Sequence, residues 1–540
     1  MSASARFPTN PDLTLASRVE STASWLASTA PGATLTSDSR RVAPGDVFFA
    51  YGALPGQLPG AGTDGRAYIS DAIARGAAAV LFDDEDFAWN ANWLLPHYAC
   101  RGLQSIAGLL AKRHYGAPDA GMFSVAVTGT NGKTSCTQWL GAALSRSGMP
   151  TAVIGTFGIG IFRAGMAADF SLTGYTTPDA VQLQAALANA RGRGAMALAI
   201  EASSIGLRQQ RLLGLHVDVA VFTNLTRDHL DYHGDMAAYE TAKAALFDWP
   251  DLGHAVINFD DPMGARLLKH LRARTDSDQC AVRLVAYTLT APNPTVTASL
   301  GAHGICLCAT DIRSSHTGTQ FRLHVVSAAA PVTMTVQTQL VGEFNVSNVL
   351  GVLGVLLAKG MDLGAAVAAV EALQSVPGRM QCMGGPGQPL AVIDYAHTPD
   401  ALEKTLASLR GVARDRDGAL WCVFGCGGDR DPGKRPQMGA IAQAADHVIV
   451  TSDNPRNESP AAIIADIVSG MSAGPAPQVI EDRATAILWA LRHATKNDVV
   501  LLAGKGHENY QEIRGRKLQF LDADHAALAL AARATMKGSA

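Results

Sequence analysis

Charge is scarce in this chain and nearly balanced. Only 17% of its 540 residues are charged, with 44 Lys and Arg against 47 Asp and Glu and a formal net charge of -3. No run of basic residues breaks the balance, which excludes the electrostatic footprint of a dedicated nucleic-acid or anionic-membrane binder and leaves small molecules as the expected partners. Cysteine is sparse too. The eight, at positions 100, 136, 280, 306, 308, 382, 422 and 426, form no CxxC pair and no dense framework, so they read as reduced, mostly buried thiols. Nowhere do about 18 apolar residues run together as a membrane span needs. The apolar stretch 349–358 is too short for that and fits a buried helix. The first 30 residues also lack the basic start and apolar stretch of a secretory signal. These absences predict a soluble, cytoplasmic protein. At roughly 100–200 residues per domain, the length predicts three or four domains.

What recurs is a short apolar run that stops at a cluster of Gly, Ser, Thr, Asn or Asp and is followed by helical periodicity. Residues 123–127 before GTNGKT, 195–200 before EASS and 217–222 before TNLTRDH show it. So do 390–393 before DYAHTPD, Leu420–Phe424 before GCGGDRD, 448–450 before TSDNPR and 499–502 before AGKGHE. This is the pattern of βαβ units, whose parallel sheets bind ligands at the carboxyl ends of strands. Residues 281–340, with FRLHVV and VTMTVQTQLV, alternate and predict a small antiparallel sheet attached to the central unit. The Pro/Gly-rich segment near 55–65 reads as a long surface loop. Boundaries are expected near 118 and 380, giving α/β domains 1–118, 119–379 and 380–540, the second a P-loop type parallel sheet and the third Rossmann-like.

Gly129, Thr130, Asn131, Gly132, Lys133 and Thr134 lie between an apolar strand and the helix-like SCTQWLGAALSR. Glycines let backbone N–H groups approach phosphate oxygens, the helix start favours negative charge, Lys133 can reach terminal phosphates and Thr134 can ligate magnesium. The longer P-loop carries another Gly where this chain has Val127, so the match is to a shorter variant. Glu201 ends a strand, His229 lies in NLTRDHLDYHGD and Lys243 follows in YETAKAALF. Magnesium prefers oxygen, which makes Glu201 its natural ligand. Taken singly, the three residues fit better as a salt-bridged strand-end Glu, a surface His and a Lys on a solvated helix face.

GTNGKT, EASS, NLTRDHLDYHG, GEFNVSNVLG, DYAHTPD, GCGGDRD, DNPR and GKGHE, in that order from about Thr36 to Gln511, resemble the Mur ligases. The resemblance implies an ATP-dependent, ADP-forming amide ligase of cytoplasmic peptidoglycan precursor synthesis. It would add meso-2,6-diaminopimelate to UDP-N-acetylmuramoyl-L-alanyl-D-glutamate through an acyl phosphate. It implies that Lys133 and Thr134 hold the ATP phosphates and a first magnesium, that Glu201 and His229 serve the metal centre, and that Lys243 is carried as a carbamate helping a second magnesium. Asn345, Asn348, Arg379 and Asp394 would contact the nucleotide, the last two when the final domain closes. Ser39, Thr176, Thr177, Ser203, Gln209 and Arg211 would hold the UDP-muramoyl dipeptide. Relatives commonly carry His after the paired serines, where this chain has Ile205. A monomer is the family expectation.

Asp453, Asn454, Pro455 and Arg456 bear on the amino-acid substrate. Meso-diaminopimelate differs from lysine by a second, distal carboxylate, and Arg suits that group through paired hydrogen bonds. Asn454 and Arg430 would orient carboxylates, while Glu508 and the Gly504 carbonyl would hold the distal ammonium. A plain strand-end turn is the alternative for DNPR, and a turn start for TTPD. Two rival functions also fit parts of the sequence. Folylpolyglutamate synthetase shares the phosphate loop and last domain but lacks the uridine-nucleotide domain suggested by TSDSRRVAPGDVFFA. A nucleotide-gated scaffold would not need DNPR beside GKGHE.

Overall fold

The computed structural model describes residues 14–537 except 53–63, 172–173, 277–281, 294–295, 298–299, 302, 316, 329 and 472–475. The Pro/Gly-rich loop expected near 55–65 and Cys280 therefore lie largely or wholly outside the described residues. Three α/β units follow along the chain, each around its own sheet. A four-stranded parallel sheet is built from Leu35–Thr36, Val47–Ala50, Ala79–Phe82 and His97–Ala99.

The central sheet has eleven strands. Its middle is parallel and runs through Ile305–Ser315, Arg283–Thr288, His254–Asn258, Val219–Phe222, Phe123–Thr128, Ala197–Glu201 and Thr151–Gly155. Continuous apolar runs such as VAVF and ALAIE suit strands buried on both faces, and two apolar clusters do cover this sheet, one per face. The expected antiparallel portion is Ile305–Ser315, Gly318–Val326 and Val332–Thr338, joined edge to edge with the parallel strands as one sheet. A second antiparallel extension, Gly158–Arg163 with Met166–Ser171, closes the opposite edge. The apolar stretch 349–358 belongs to the helix Glu343–Ala358, buried against the sheet.

The third sheet has the order Gln381–Met383, Leu390–Asp394, Val499–Ala503, Leu420–Phe424, His447–Val450 and Gln478–Val479, parallel except for its first strand. Apolar clusters again cover both faces. The polar motifs stand at the carboxyl ends of these strands. Among the described residues no helix is long and apolar enough to cross a membrane.

Candidate active site

The phosphate loop follows strand Phe123–Thr128 and precedes helix Lys133–Arg146. Val127 is part of the strand and fully buried, which is why the motif is short: the loop proper begins at Gly129. Gly129 and Gly132 have φ of +147° and +87°, and a Cβ on either would strike Thr223 or the Asn348 amide. The TNLT segment grips the loop from the next strand. Asn131 N donates to Asn224 Oδ1 at 2.9 Å, Thr223 Oγ1 to Asn131 O at 2.6 Å and Thr130 Oγ1 to Thr226 O at 3.1 Å.

Two lysines converge on this loop. Lys133 Nζ donates to the carbonyls of Gly129 and Thr130, both at 2.8 Å. Lys243, buried at 1% exposure rather than on a solvated face, donates to the same Gly129 carbonyl at 2.8 Å and lies 4.4 Å over the Tyr239 ring. Neither partner neutralises its charge. Burial, reinforced by Lys133, pushes Lys243 well below the usual lysine range, and burial pushes Lys133 down too, against the pull of Glu201 and Asp228.

Glu201 is 1% exposed at the end of its strand, where it accepts from Thr156 N at 2.8 Å and Thr156 Oγ1 at 3.2 Å. The expected salt-bridged role does not describe it. His229 has a left-handed backbone at φ +53°, and its Nε2 stands 3.5 Å from Asp228 Oδ2. Although 46% of the His229 side chain is exposed, partial desolvation by the surrounding walls lowers its pKa. It works against Asp228, which His229 and His397 nonetheless hold below the usual carboxylate range. Beside Glu201, Thr177 Oγ1 donates to the Glu201 carbonyl at 2.6 Å and lies 2.9 Å from Ser203 Oγ. Arg211 donates to Thr177 O at 2.8 Å and to Gln209 Oε1, stacking its guanidinium on Tyr175. Thr176 Oγ1 lies 3.4 Å from Thr156 Oγ1. Ser39 stands apart from this group in the first unit, but its neighbours Ser37 and Arg41 reach Asp179 and Gln182, at the start of the helix that follows Thr177. Ile205 does not line the cavity; Ser203 and Ser204 form the wall there.

The third unit closes the other side. Asn131 Nδ2 donates to Asp400 Oδ2 at 3.3 Å, and Arg379 donates to Thr134 Oγ1 at 3.3 Å while its guanidinium lies 4.4 Å over Tyr395. Asp394 accepts from Met380 N at 2.8 Å, and burial raises its pKa. Asn345 is pinned to Val341 O at 2.9 Å. The cavity so enclosed measures about 1190 Å³ and includes Lys133, Thr134, Glu201, His229, Lys243, Asn345, Asn348, Arg379 and Asp394. That exceeds the roughly 300–1,000 Å³ of a site for one drug-sized ligand.

DNPR and GKGHE meet in the third unit, beyond the carboxyl ends of strands His447–Val450 and Val499–Ala503, which flank Leu420–Phe424. Arg456 has φ +50°, donates from Nη1 to Gly428 O at 2.7 Å and sets Nε 3.5 Å from Glu512 Oε2; at 19% side-chain exposure it does not project into bulk water. Asn454 Nδ2 donates to Glu508 Oε2 at 2.7 Å. Burial, then the charge of Asp453, raises the Glu508 pKa. Asp453 accepts from Asn454 N at 2.7 Å, and a Cβ on Gly504 would come within 2.7 Å of its Oδ2. The Pro455 carbonyl packs so closely on Gly428 that no side chain fits there. Arg430 is exposed on the GCGGDRD loop.

Two family models match the chain: the Mur ligase middle domain over residues 127–356 and the Mur ligase glutamate ligase domain over 378–506. The chain is 62% identical over 517 residues, 95% of its length and 97% of the relative's, to the UDP-N-acetylmuramoyl-L-alanyl-D-glutamate--2,6-diaminopimelate ligase of Janthinobacterium sp. (strain Marseille). It is 50% identical to the protein of that name from Ralstonia nicotianae (strain ATCC BAA-1114 / GMI1000), covering 97% and 98%. A solved structure of a protein of that name superposes with a TM-score of 0.63 at 37% identity, covering 93% of this chain and 95% of the other. The chain belongs to the Mur ligase family.

Several residues of this Mur ligase site escape sequence reading. Asp228 and Asn224 sit inside TNLTRDH, but nothing in their spacing separates them from ordinary loop polar groups. Tyr239 lies one helical turn before Lys243, and that i, i+4 spacing is the signal that could have found it. Lys505, between the glycines of GKGHE, reads as a surface lysine yet is fully buried.

Proposed function

We propose that this Mur ligase joins meso-2,6-diaminopimelate to UDP-N-acetylmuramoyl-L-alanyl-D-glutamate with ATP as co-substrate, releasing ADP and phosphate. The observation that carries the reading is the pairing of a phosphate-loop cavity holding Lys133, Glu201 and Lys243 with a second cluster holding Arg456, Asn454 and Glu508. The relatives named for this reaction support it along nearly the whole chain. We further propose domains 1–118, 119–379 and 380–540 and a cytoplasmic monomer.

A carboxylate is a poor acyl donor. In this reading a glutamate carboxylate oxygen of the dipeptide attacks the γ-phosphorus, the bond to ADP breaks, and an acyl phosphate forms. The diamino acid's amine then attacks the acyl carbon, the C–N bond forms, inorganic phosphate leaves and the nitrogen loses a proton. The chain's part is positioning and charge neutralisation. Backbone N–H groups of the loop and Lys133 hold the phosphates; Thr176, Thr177, Ser203, Gln209 and Arg211 hold the dipeptide; Ser39 meets the uridine diphosphate. Asn345, Asn348, Arg379 and Asp394 frame the nucleotide.

Among the described residues no three His, Cys, Asp or Glu side chains gather into a metal cage. Magnesium needs less than that, since it keeps waters and phosphate oxygens and takes one or two protein oxygens. The Glu201 carboxylate and Thr134 hydroxyl face the same cavity as Lys133 and fit that demand, with His229 beside them. Bound there, magnesium would neutralise phosphate charge. Lys243, depressed by burial, is suited to capture carbon dioxide as a carbamate, which exchanges a cation for an anion beside that centre.

Arg456, Asn454, Arg430 and Asp453 would serve the amino acid's carboxylates, and Glu508 with Gly504 its distal ammonium. Phosphate release by the purified protein tests the reading. It should require ATP, the UDP-muramoyl dipeptide and meso-diaminopimelate together; release with reduced folate as acceptor, or without any amino acid, contradicts it.

A further inference from the structure

Lys505 stands within the amino-acid cluster, yet it has no spare proton to offer a substrate. Its side chain is fully buried, and Nζ reaches three acceptors: Asn454 Oδ1 at 3.1 Å, Glu508 Oε2 at 3.2 Å and Tyr510 O at 2.6 Å. Three acceptors match the three protons of an ammonium. The flanking glycines explain how a lysine is aimed inward here. Gly504 and Gly506 have φ of +109° and +52°, and a Cβ on either would come within 2.7 Å of Asp453 Oδ2 or 2.8 Å of Gly378 O.

The same network decides which way Asn454 points. Its Oδ1 accepts from Lys505 and also from Glu512 N at 2.9 Å, while Nδ2 gives one proton to Glu508 at 2.7 Å. The two ends of an amide are nearly alike in shape, so hydrogen bonding alone orients them. A flipped amide would set its N–H₂ against an ammonium and a backbone N–H, leaving those buried donors unpaired.

We infer that Lys505 is a positioning residue that determines amino-acid specificity, by locking Asn454 so that its remaining Nδ2 proton, a donor and not an acceptor, is offered to the substrate. The inference rests on the proposed function. A donor at that place suits a carboxylate, which is the group diaminopimelate has and lysine lacks at the distal end. Lys505 also sustains the negative charge of Glu508, which serves the ammonium that both diamino acids share. Its loss should therefore weaken use of both substrates, and that of diaminopimelate more.

Steady-state kinetics of the full chain with meso-diaminopimelate and lysine as alternative substrates test this. In Lys505→Met, kcat/KM for meso-diaminopimelate should fall on the order of 10- to 100-fold, the equivalent of one hydrogen bond to a charged group. Its preference over lysine should shrink by about 10-fold, while the KM for ATP stays within about 3-fold. A variant that keeps the wild-type preference overturns the inference. A wild-type protein that does not prefer meso-diaminopimelate overturns the underlying reading, and the inference with it. Should Lys505→Met fail to fold, Lys505→Gln and a crystal structure of the wild-type chain with meso-diaminopimelate decide. A substrate carboxylate on Asn454 Nδ2, with Lys505 still on Oδ1, is expected; substrate oxygen bonded directly to Lys505 Nζ contradicts the positioning role.

Discussion

Arg456 adopts a left-handed backbone, uncommon for a residue with a Cβ, because the chain on either side is tied down. Its N–H donates to Glu512 O at 3.0 Å and its carbonyl accepts from Arg514 N at 2.7 Å, so the hairpin Tyr510–Ile513 with Arg516–Gln519 fixes where the guanidinium emerges. Arg456→Ala should lower kcat/KM for meso-diaminopimelate by a few hundred-fold or more, since losing one partner of a buried charged pair costs about 3–5 kcal/mol. Varying both substrates checks this, and an equal loss in the KM for ATP contradicts the assignment. Lys243→Ala should lose activity on the order of 100-fold, the scale of one electrostatic group in a dry site. Added formate or acetate should restore part of the turnover; full activity without them would remove the carbamate from the account. At this scale the sequence reads well where a motif marks a strand end, as GTNGKT does between strand Phe123–Thr128 and helix Lys133–Arg146 and DNPR does after His447–Val450. It reads poorly where burial decides. Lys243 and Lys505 each look like a solvated lysine until strands distant in sequence bury them, and Glu508 carries no sign that an internal ammonium shares its carboxylate.

Two helices begin with the same three residues and use them differently. In Thr177-Pro178-Asp179 the aspartate caps helix Ala180–Gly192, accepting from Val181 N at 2.9 Å, which leaves the Thr177 hydroxyl for the Glu201 carbonyl. In Thr398-Pro399-Asp400 the threonine caps helix Pro399–Asp415 and leaves Asp400 for Asn131 across the cleft. Local sequence names a helix start in both cases; which oxygen caps it depends on what else competes for those side chains. The hairpin Gly158–Arg163 with Met166–Ser171 is hard to read for a related reason, since Gly weakens strand signals and here makes room for the Phe170 ring at Gly160. Parallel strands before polar clusters are easy, because double burial forces a continuous apolar run. Gly132→Ala is the test belonging to this scale. With φ at +87° and a Cβ set 2.5 Å from Asn348 Oδ1, the loop must distort, so the KM for ATP should rise at least about 10-fold while the melting temperature falls by only a few degrees. Unchanged ATP affinity in a folded variant would mean that the loop does not cradle phosphate.

The second and third sheets are joined by ring contacts between the GKGHE segment and the strand ends around Glu201. His507, next to Glu508, lies with its ring centroid 4.3 Å from that of Phe157, the neighbour of the Thr156 that holds Glu201, and 5.4 Å from that of Tyr395. Burial, then Arg379 and Lys505, lowers the His507 pKa to about 3, and burial, then Lys434, lowers that of His397 to about 4. Unfolded, both imidazoles return to about 6.5 and take up protons there. Their contribution to stability is therefore complete above about pH 6.5 and is lost as pH falls toward about 4 for His397 and about 3 for His507. Melting temperatures measured between pH 7.5 and 4.5 should decline, and His507→Phe, which keeps a ring in the stack, should decline less steeply. A flat wild-type profile contradicts buried neutral imidazoles at the interface.

Competition between the two diamino acids tests the central claim most directly. The purified chain is given ATP, the UDP-muramoyl dipeptide and equal concentrations of meso-diaminopimelate and lysine, and the masses of the nucleotide-linked products are recorded. The account predicts the diaminopimelate tripeptide in large excess, formed one for one with ADP and phosphate. Lysine incorporated equally well, or product formed without ATP cleavage, would contradict it.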